Sequence, residues 1–382
     1  MTEHPKKLAF LDGLRGLAAF YVMIGHARWL LWEGHQSYGS HPDHYSPAGK
    51  ALVYLSAAFR YGHEAVIFFF VLSGFVIHLR YARQLIGNPA ASFDFWPYLR
   101  RRARRLYPPL AVALLITFGA DALGRHLLLP TATGDTLYPL INQNVGHDHR
   151  TIVLIRNLAF IMDPVFGSDG PLWSLNYEWY FYLLYPLVFL VTRRSWRLAS
   201  LSMVALSVIG FAPGWPQPML WLRGVFQLMI VWWFGALLAD RFAGRLTFGY
   251  RKLSLLMIAF AAVPLWKGDA VTRDILVGLG FTGLIAACLA AQEKGRSLRL
   301  LTLLGPLGGM SYTLYVIHFP LLVLAGGILM RSRGGPLPET FLWAGLAVVG
   351  CLVLAWLLHF VVERPFVGGG ARAPRVAPPA IG

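Results

Sequence analysis

Long apolar runs broken by short polar stretches set the pattern of this 382-residue chain. A helix that crosses a bilayer needs about 20 mostly apolar residues. Runs of that kind predict spans near 8–31, 64–80, 106–123, 176–192, 198–213, 221–239, 252–267, 274–291, 311–330 and 341–362. They are continuous rather than alternating, so they read as helices and not as barrel strands. The expected fold class is all-α: a polytopic integral membrane protein of about ten transmembrane helices. The stretch 151–165 is short and interrupted by Arg156 and Asp163, and reads as an interfacial or re-entrant segment. Two long loops, 33–63 and 124–175, fall on one side, and long loops in compact proteins are often functional. The Gly/Ala/Pro-rich tail 367–382 is expected to be a disordered cytoplasmic extension, leaving 1–366 as one membrane domain. The first run is too long for a signal peptide and lacks a small-residue cleavage site.

Composition agrees with the pattern. The chain is 56% hydrophobic and only 14% charged, where soluble proteins carry roughly a quarter charged residues. Its net charge of +16 invites a nucleic-acid reading, but the charge has a simpler explanation. Most of the Lys and Arg cluster in alternate loops, as in Lys6–Lys7, Arg80 to Arg105, Arg193 to Arg197, Arg241 to Lys252, Lys294 to Arg299 and Arg364 to Arg375. Cytoplasmic loops carry that excess, which predicts both termini inside, at a bacterial cytoplasmic (inner) membrane, and no nucleic-acid partner. Cys288 and Cys351 lie within apolar runs and read as packing residues, not as a disulfide or a metal site; no metal is expected.

Ionisable groups inside a membrane are costly and usually face a bundle interior or a wet cavity. The first span carries Arg15 and His26, 11 positions apart, which is nearly three helical turns or about 16 Å along one face. Asp12 lies one turn before Arg15. An Asp12–Arg15 packing pair with a structural His26 is the alternative to a functional set. The second span holds Phe68 to Phe75, in which Ser73-Gly74 permits close helix approach; packing outweighs a nucleophilic Ser73. His63 and Glu64 sit at its outer end. Arg100, Arg101, Arg102, Arg104 and Arg105 precede Pro108 and Pro109, which are expected to mark a break at the start of the third span. These arginines fit a topology signal, an anionic-lipid site or a phosphate cradle. Glu178 is a lone acid among aromatics at the start of the fourth span. Tyr312, Tyr315 and His318 recur at every third position in the ninth.

Taken together, Arg15-x10-His26, Phe-Val-Leu-Ser73-Gly74-Phe75, Arg102-x-x-Arg105 before Pro108, Trp173-Ser-Leu with Glu178, and Tyr312-x-x-Tyr315-x-x-His318 resemble the acyltransferase family 3 membrane proteins, which O-acylate cell-surface glycans and related molecules. The five motifs occur in the family's order from about residue 8 to 366. The resemblance implies ten helices and a cytosolic acyl-CoA donor, usually acetyl-CoA, with no tightly bound cofactor. It implies His26, Arg15 and Glu178 as the catalytic set and Arg102, Arg105 and Ser73 near the donor, with Asp12, Glu64, Tyr312, Tyr315 and His318 as further site candidates. Many members carry an acid near the position of Ile67; Glu64, a turn away, is the candidate replacement. Some members append an esterase-like domain, and none is expected here beyond Glu363-Arg-Pro-Phe366.

The expected partners are acyl-CoA, a carbohydrate or glycolipid acceptor, and membrane lipid. His26 is expected to act as general base, with Glu178 or Glu64 to orient it. A transporter or flippase for a lipid-linked saccharide is the competing class; it would have no use for an acyl-CoA donor.

Overall fold

The computed structural model describes residues 8–34 and 38–367, and the described residues are helical with no strand. The helices of eight residues or more are α1 (Ala9–Leu30), α2 (Pro47–Ser56), α3 (Gly62–Gly87), α4 (Phe95–His126), α5 (Thr151–Leu158), α6 (Trp173–Thr192), α7 (Trp196–Phe211), α8 (Leu220–Ala243), α9 (Ala270–Glu293), α10 (Ser311–Ser332) and α11 (Leu342–Leu358). A π-turn, His359–Glu363, follows α11.

Six of the described helical stretches are long and apolar enough to cross a bilayer: 47–87, 95–126, 217–243, 270–293, 311–332 and 342–366. The chain is thus a helical membrane protein, but the span count differs from the ten expected, for identifiable reasons. α1 carries Asp12, Arg15, His26 and Arg28, and α6 carries Asn176, Glu178 and four tyrosines, so both lose apolarity to polar side chains. α7 has only 16 residues. The expected span 252–267 is a chain of short turns, Tyr250–Ser254, Leu255–Ile258, Ala259–Ala262 and Val263–Leu265. The 151–165 segment forms the eight-residue α5, too short to cross. The tail from residue 368 lies outside the described residues, as do Lys6 and Lys7.

The break expected at Pro108-Pro109 is absent, since α4 runs unbroken from Phe95 through both prolines. Proline removes an N–H donor but its φ suits a helix, and neighbouring helices in a membrane bundle can satisfy the freed carbonyls. Arg102 and Arg105 therefore stand on a helix, three residues apart on one face.

Small residues set the closest helix contacts. A Cβ on Gly74 of α3 would lie 1.9 Å from the Trp232 carbonyl oxygen of α8, and one on Gly235 of α8 would lie 1.8 Å from the Val71 oxygen. The two glycines let α3 and α8 meet backbone to backbone, as dispersion-driven packing in lipid favours. Around that crossing Tyr81, Tyr98, Tyr185, Phe189 and Trp232 form a buried aromatic core, with the partly buried Phe93 packed against it. Within it His78 Nε2 sits 3.0 Å from Asp240 Oδ1, which also accepts from Arg245 Nη1 at 2.6 Å. By contrast, α11 leaves Leu342, Trp343, Val349, Val353 and Trp356 exposed, a surface suited to acyl chains.

Candidate active site

Two cavities lie against each other inside the bundle. The first, about 80 Å³, is lined by Arg15, Ser73, Arg102, Arg105, Ser174, Glu178, Tyr182, Ser311, Tyr312 and Tyr315 among others. The second, about 290 Å³, is lined by His26, Trp29, His63, Asn144, Pro171, Trp173, Tyr315 and Phe319 among others. Val66 and Tyr315 line both, so they form the wall between an arginine chamber and a histidine chamber.

The arginine chamber gathers most of the residues singled out from the sequence. Arg15 reaches it because α1 packs tightly on the 305–309 turn: a Cβ on Gly308 would lie 1.9 Å from the Asp12 oxygen. That approach lets Arg15 Nε and Nη2 donate to the Gly308 carbonyl at 3.1 and 2.6 Å. Asp12, half-exposed, also pairs with Arg15 at 3.2 Å, so the packing pair and a chamber position coexist. Arg102 lies over the rings of Tyr98 and Tyr182 at 5.9 and 5.6 Å. The buried Nε atoms of Arg102 and Arg105 have no hydrogen-bond partner. Glu178 accepts from the Tyr182 hydroxyl, and Ser73 Oγ accepts from Trp232 Nε1 at 3.4 Å. The chamber walls thus carry three guanidinium groups against one carboxylate. A buried donor without a partner is costly, so the Nε atoms of Arg102 and Arg105 are donors that a bound ligand can satisfy.

Glu363 belongs to the same neighbourhood. It is buried, accepts from Thr313 N and Oγ1 at 3.3 and 2.9 Å, and acts electrostatically on Arg15 and Arg105. It sits in the π-turn, a geometry frequent at functional sites.

Among the described residues no acid meets His26 in the histidine chamber. Glu178 lies in the other chamber, and Glu64 pairs with Arg273 at 2.9 Å beside an apolar cavity of about 460 Å³. The group on His26 is His318: His26 Nδ1 and His318 Nε2 are 2.9 Å apart, and the rings stack at 5.2 Å. His318 Nδ1 lies 3.0 Å from the Leu314 carbonyl one turn back. A carbonyl only accepts, so His318 Nδ1 carries the proton. With both rings neutral, His318 Nε2 is then an acceptor and His26 Nδ1 must donate to it. That leaves the lone pair on His26 Nε2, the state a general base requires.

Tyr315 holds the dividing wall. Its hydroxyl donates to the Pro171 oxygen at 2.8 Å and accepts from Ser174 Oγ at 2.8 Å. The start of α3 contributes Gly62 and His63 to the histidine chamber, and the second long loop contributes Asn144, Gly170 and Pro171. The sequence reading does not single out Asp240 and Asp274, which hold His78 and His63; each is an acid at the edge of an apolar run, the signal that points to them.

The fold and the site define a helical membrane protein with an arginine chamber backed onto a histidine chamber. The acyltransferase domain model of acyltransferase family 3 matches residues 8–360, and the chain belongs to that family. It is 26% identical over 400 residues to YrhL of Bacillus subtilis, whose name gives it as a peptidoglycan O-acetyltransferase, covering 97% of this chain and 57% of YrhL. It is 26% identical over 414 residues to acyltransferase MdmB of Streptomyces mycarofaciens, covering 96% and 93%. It is 30% identical over 155 residues to nodulation protein 10 of Rhizobium leguminosarum, covering 38% of each. No solved structure matches the chain.

Proposed function

We propose that this chain transfers an acyl group, acetyl in the simplest case, from acyl-CoA to a carbohydrate hydroxyl. The observation that supports the reading most is the pairing of the two chambers across Val66 and Tyr315. Guanidinium groups match phosphate oxygens, so Arg102 and Arg105 would hold the CoA phosphates at the arginine-rich, cytoplasmic end. Arg15, about 16 Å along α1 from His26, would lie beside the pantetheine arm. The acceptor would enter the histidine chamber from the opposite face.

In the chemical step His26 Nε2 takes the proton of the acceptor hydroxyl as its oxygen attacks the thioester carbonyl carbon. The tetrahedral adduct collapses, the C–S bond breaks with its electron pair on sulfur, and the imidazolium proton passes to that thiolate. The products are an ester and free CoA. His318 stabilises the imidazolium by accepting from Nδ1. The peptidoglycan O-acetyltransferase activity in YrhL's name supports a glycan hydroxyl as acceptor.

The test is transfer of label from acetyl-CoA into envelope glycans, in membranes containing the intact chain or His26→Ala. Label in glycan only with His26 supports the reading. Equal label with His26→Ala overturns it.

A further inference from the structure

The histidine chamber holds a second imidazole that the step above leaves unused. His63 opens α3 and lines the chamber. Its Nε2 lies 2.9 and 3.0 Å from the two carboxylate oxygens of Asp274 on α9. Its ring stacks on Trp173 with centroids 5.2 Å apart and planes at 12°. The Asp274 side chain is 6% exposed, while that of His63 is 41% exposed, on the chamber side of the pair. A carboxylate can only accept, so His63 Nε2 carries a proton, and the two contacts fix both the tautomer and the plane of the ring. In the neutral ring Nδ1 is then an acceptor.

A fastening role does not account for this arrangement. The neighbouring residue on each helix already supplies a tie, Glu64 to Arg273 at 2.9 Å, and a buried acid in an apolar helix is costly. What the pair adds is an oriented acceptor atom in the same cavity as His26.

We propose that His63 binds the acceptor, taking a hydrogen bond from a second hydroxyl while His26 deprotonates the first. Asp274 is a positioning residue that acts through His63. The ligand class is a polyol that presents two hydroxyls at once, as a sugar ring does, and not a lone alcohol. The inference rests on the acyl-transfer reading and deepens it.

The test uses the full chain in membranes, labelled acetyl-CoA as donor and the envelope glycan fraction as acceptor. His63→Phe keeps a stacked ring on Trp173, and combining it with Asp274→Asn avoids an unpaired buried charge. The expected result for the double variant is a rise of about tenfold in acceptor KM, the loss of one hydrogen bond, with kcat and donor KM unchanged. Asp274→Asn alone is expected to give a smaller rise in the same constant. An unchanged acceptor KM overturns the proposal. So does a fall in kcat at constant acceptor KM, or a joint loss of donor binding and folded protein. An inactive intact chain refutes the acyl-transfer reading, and this proposal with it, before any variant is compared.

Discussion

Replacing His318 with Phe would remove the acceptor that sets the His26 tautomer while keeping a ring stacked on it. In the proposed step the 2.9 Å contact from His26 Nδ1 becomes charge-assisted once His26 takes the hydroxyl proton. Hydrogen bonds to charged groups contribute about 1.5–3 kcal/mol, and each 1.36 kcal/mol is tenfold in rate. His318→Phe should therefore lower kcat by roughly 10- to 100-fold, with donor KM unchanged. His26→Ala should cost the whole general-base contribution, roughly 10²- to 10⁴-fold. Because His318 acts through His26, the double variant should be no slower than His26→Ala alone. Initial rates of label transfer from acetyl-CoA, normalised to folded chain in the membrane, measure all three. Full rate in His318→Phe, or losses that multiply in the double variant, would refute the relay.

Further outcomes follow from the same geometry. Arg102→Ala and Arg105→Ala should raise donor KM while leaving acceptor KM in place, read by titrating acetyl-CoA; unchanged donor dependence counts against a phosphate cradle. Gly74→Ala should put a methyl carbon 1.9 Å from the Trp232 oxygen and cost at least about 1–3 kcal/mol, seen as a lower melting temperature or loss of folded protein, whereas Gly87→Ala, with open space around it, should not. In the loop before α6, burial and then the nearby Asp121 push the Asp169 carboxyl well above its ordinary value. An acid with a raised folded value stabilises fully below its unfolded value, near 3.9, and loses that stability as pH rises through the folded one. Asp169→Asn should therefore gain in melting temperature relative to the intact chain as pH rises above about 4; parallel curves would show that Asp169 is not a buried acid.

Much of the arginine chamber was legible in the sequence because its residues break a strong rule. Arg15, Arg102, Arg105 and Glu178 are charges within or beside apolar helices, and lipid makes such placements expensive unless a cavity receives them. Ser73-Gly74 was legible as a packing site for a similar reason, and the reciprocal Gly235 explains how close the helices come. The partner of His26 was not legible. His318 lies 292 positions away, and only the crossing of α1 and α10 brings the rings together. Glu178 and Glu64 were the expected partners because acids commonly orient histidines, yet each finds a nearer partner, Tyr182 and Arg273. Six described stretches are apolar enough to cross by length and composition, and the count of about ten is not confirmed. α1 and α6 trade apolarity for the groups that line the chambers, and the 250–265 segment breaks into short turns packed on α9, where a Cβ on Gly283 would lie 2.4 Å from Met257 N.

In the proposed reaction the donor enters the arginine chamber from one face and the acceptor meets His26 from the other. Sealed vesicles of known orientation test this directly, with labelled acetyl-CoA supplied to one face at a time and labelled glycan as the readout. Label is expected only when the donor reaches the face bearing Arg102 and Arg105, and none with His26→Ala. Labelling from the opposite face, or labelling that survives loss of His26, would contradict it.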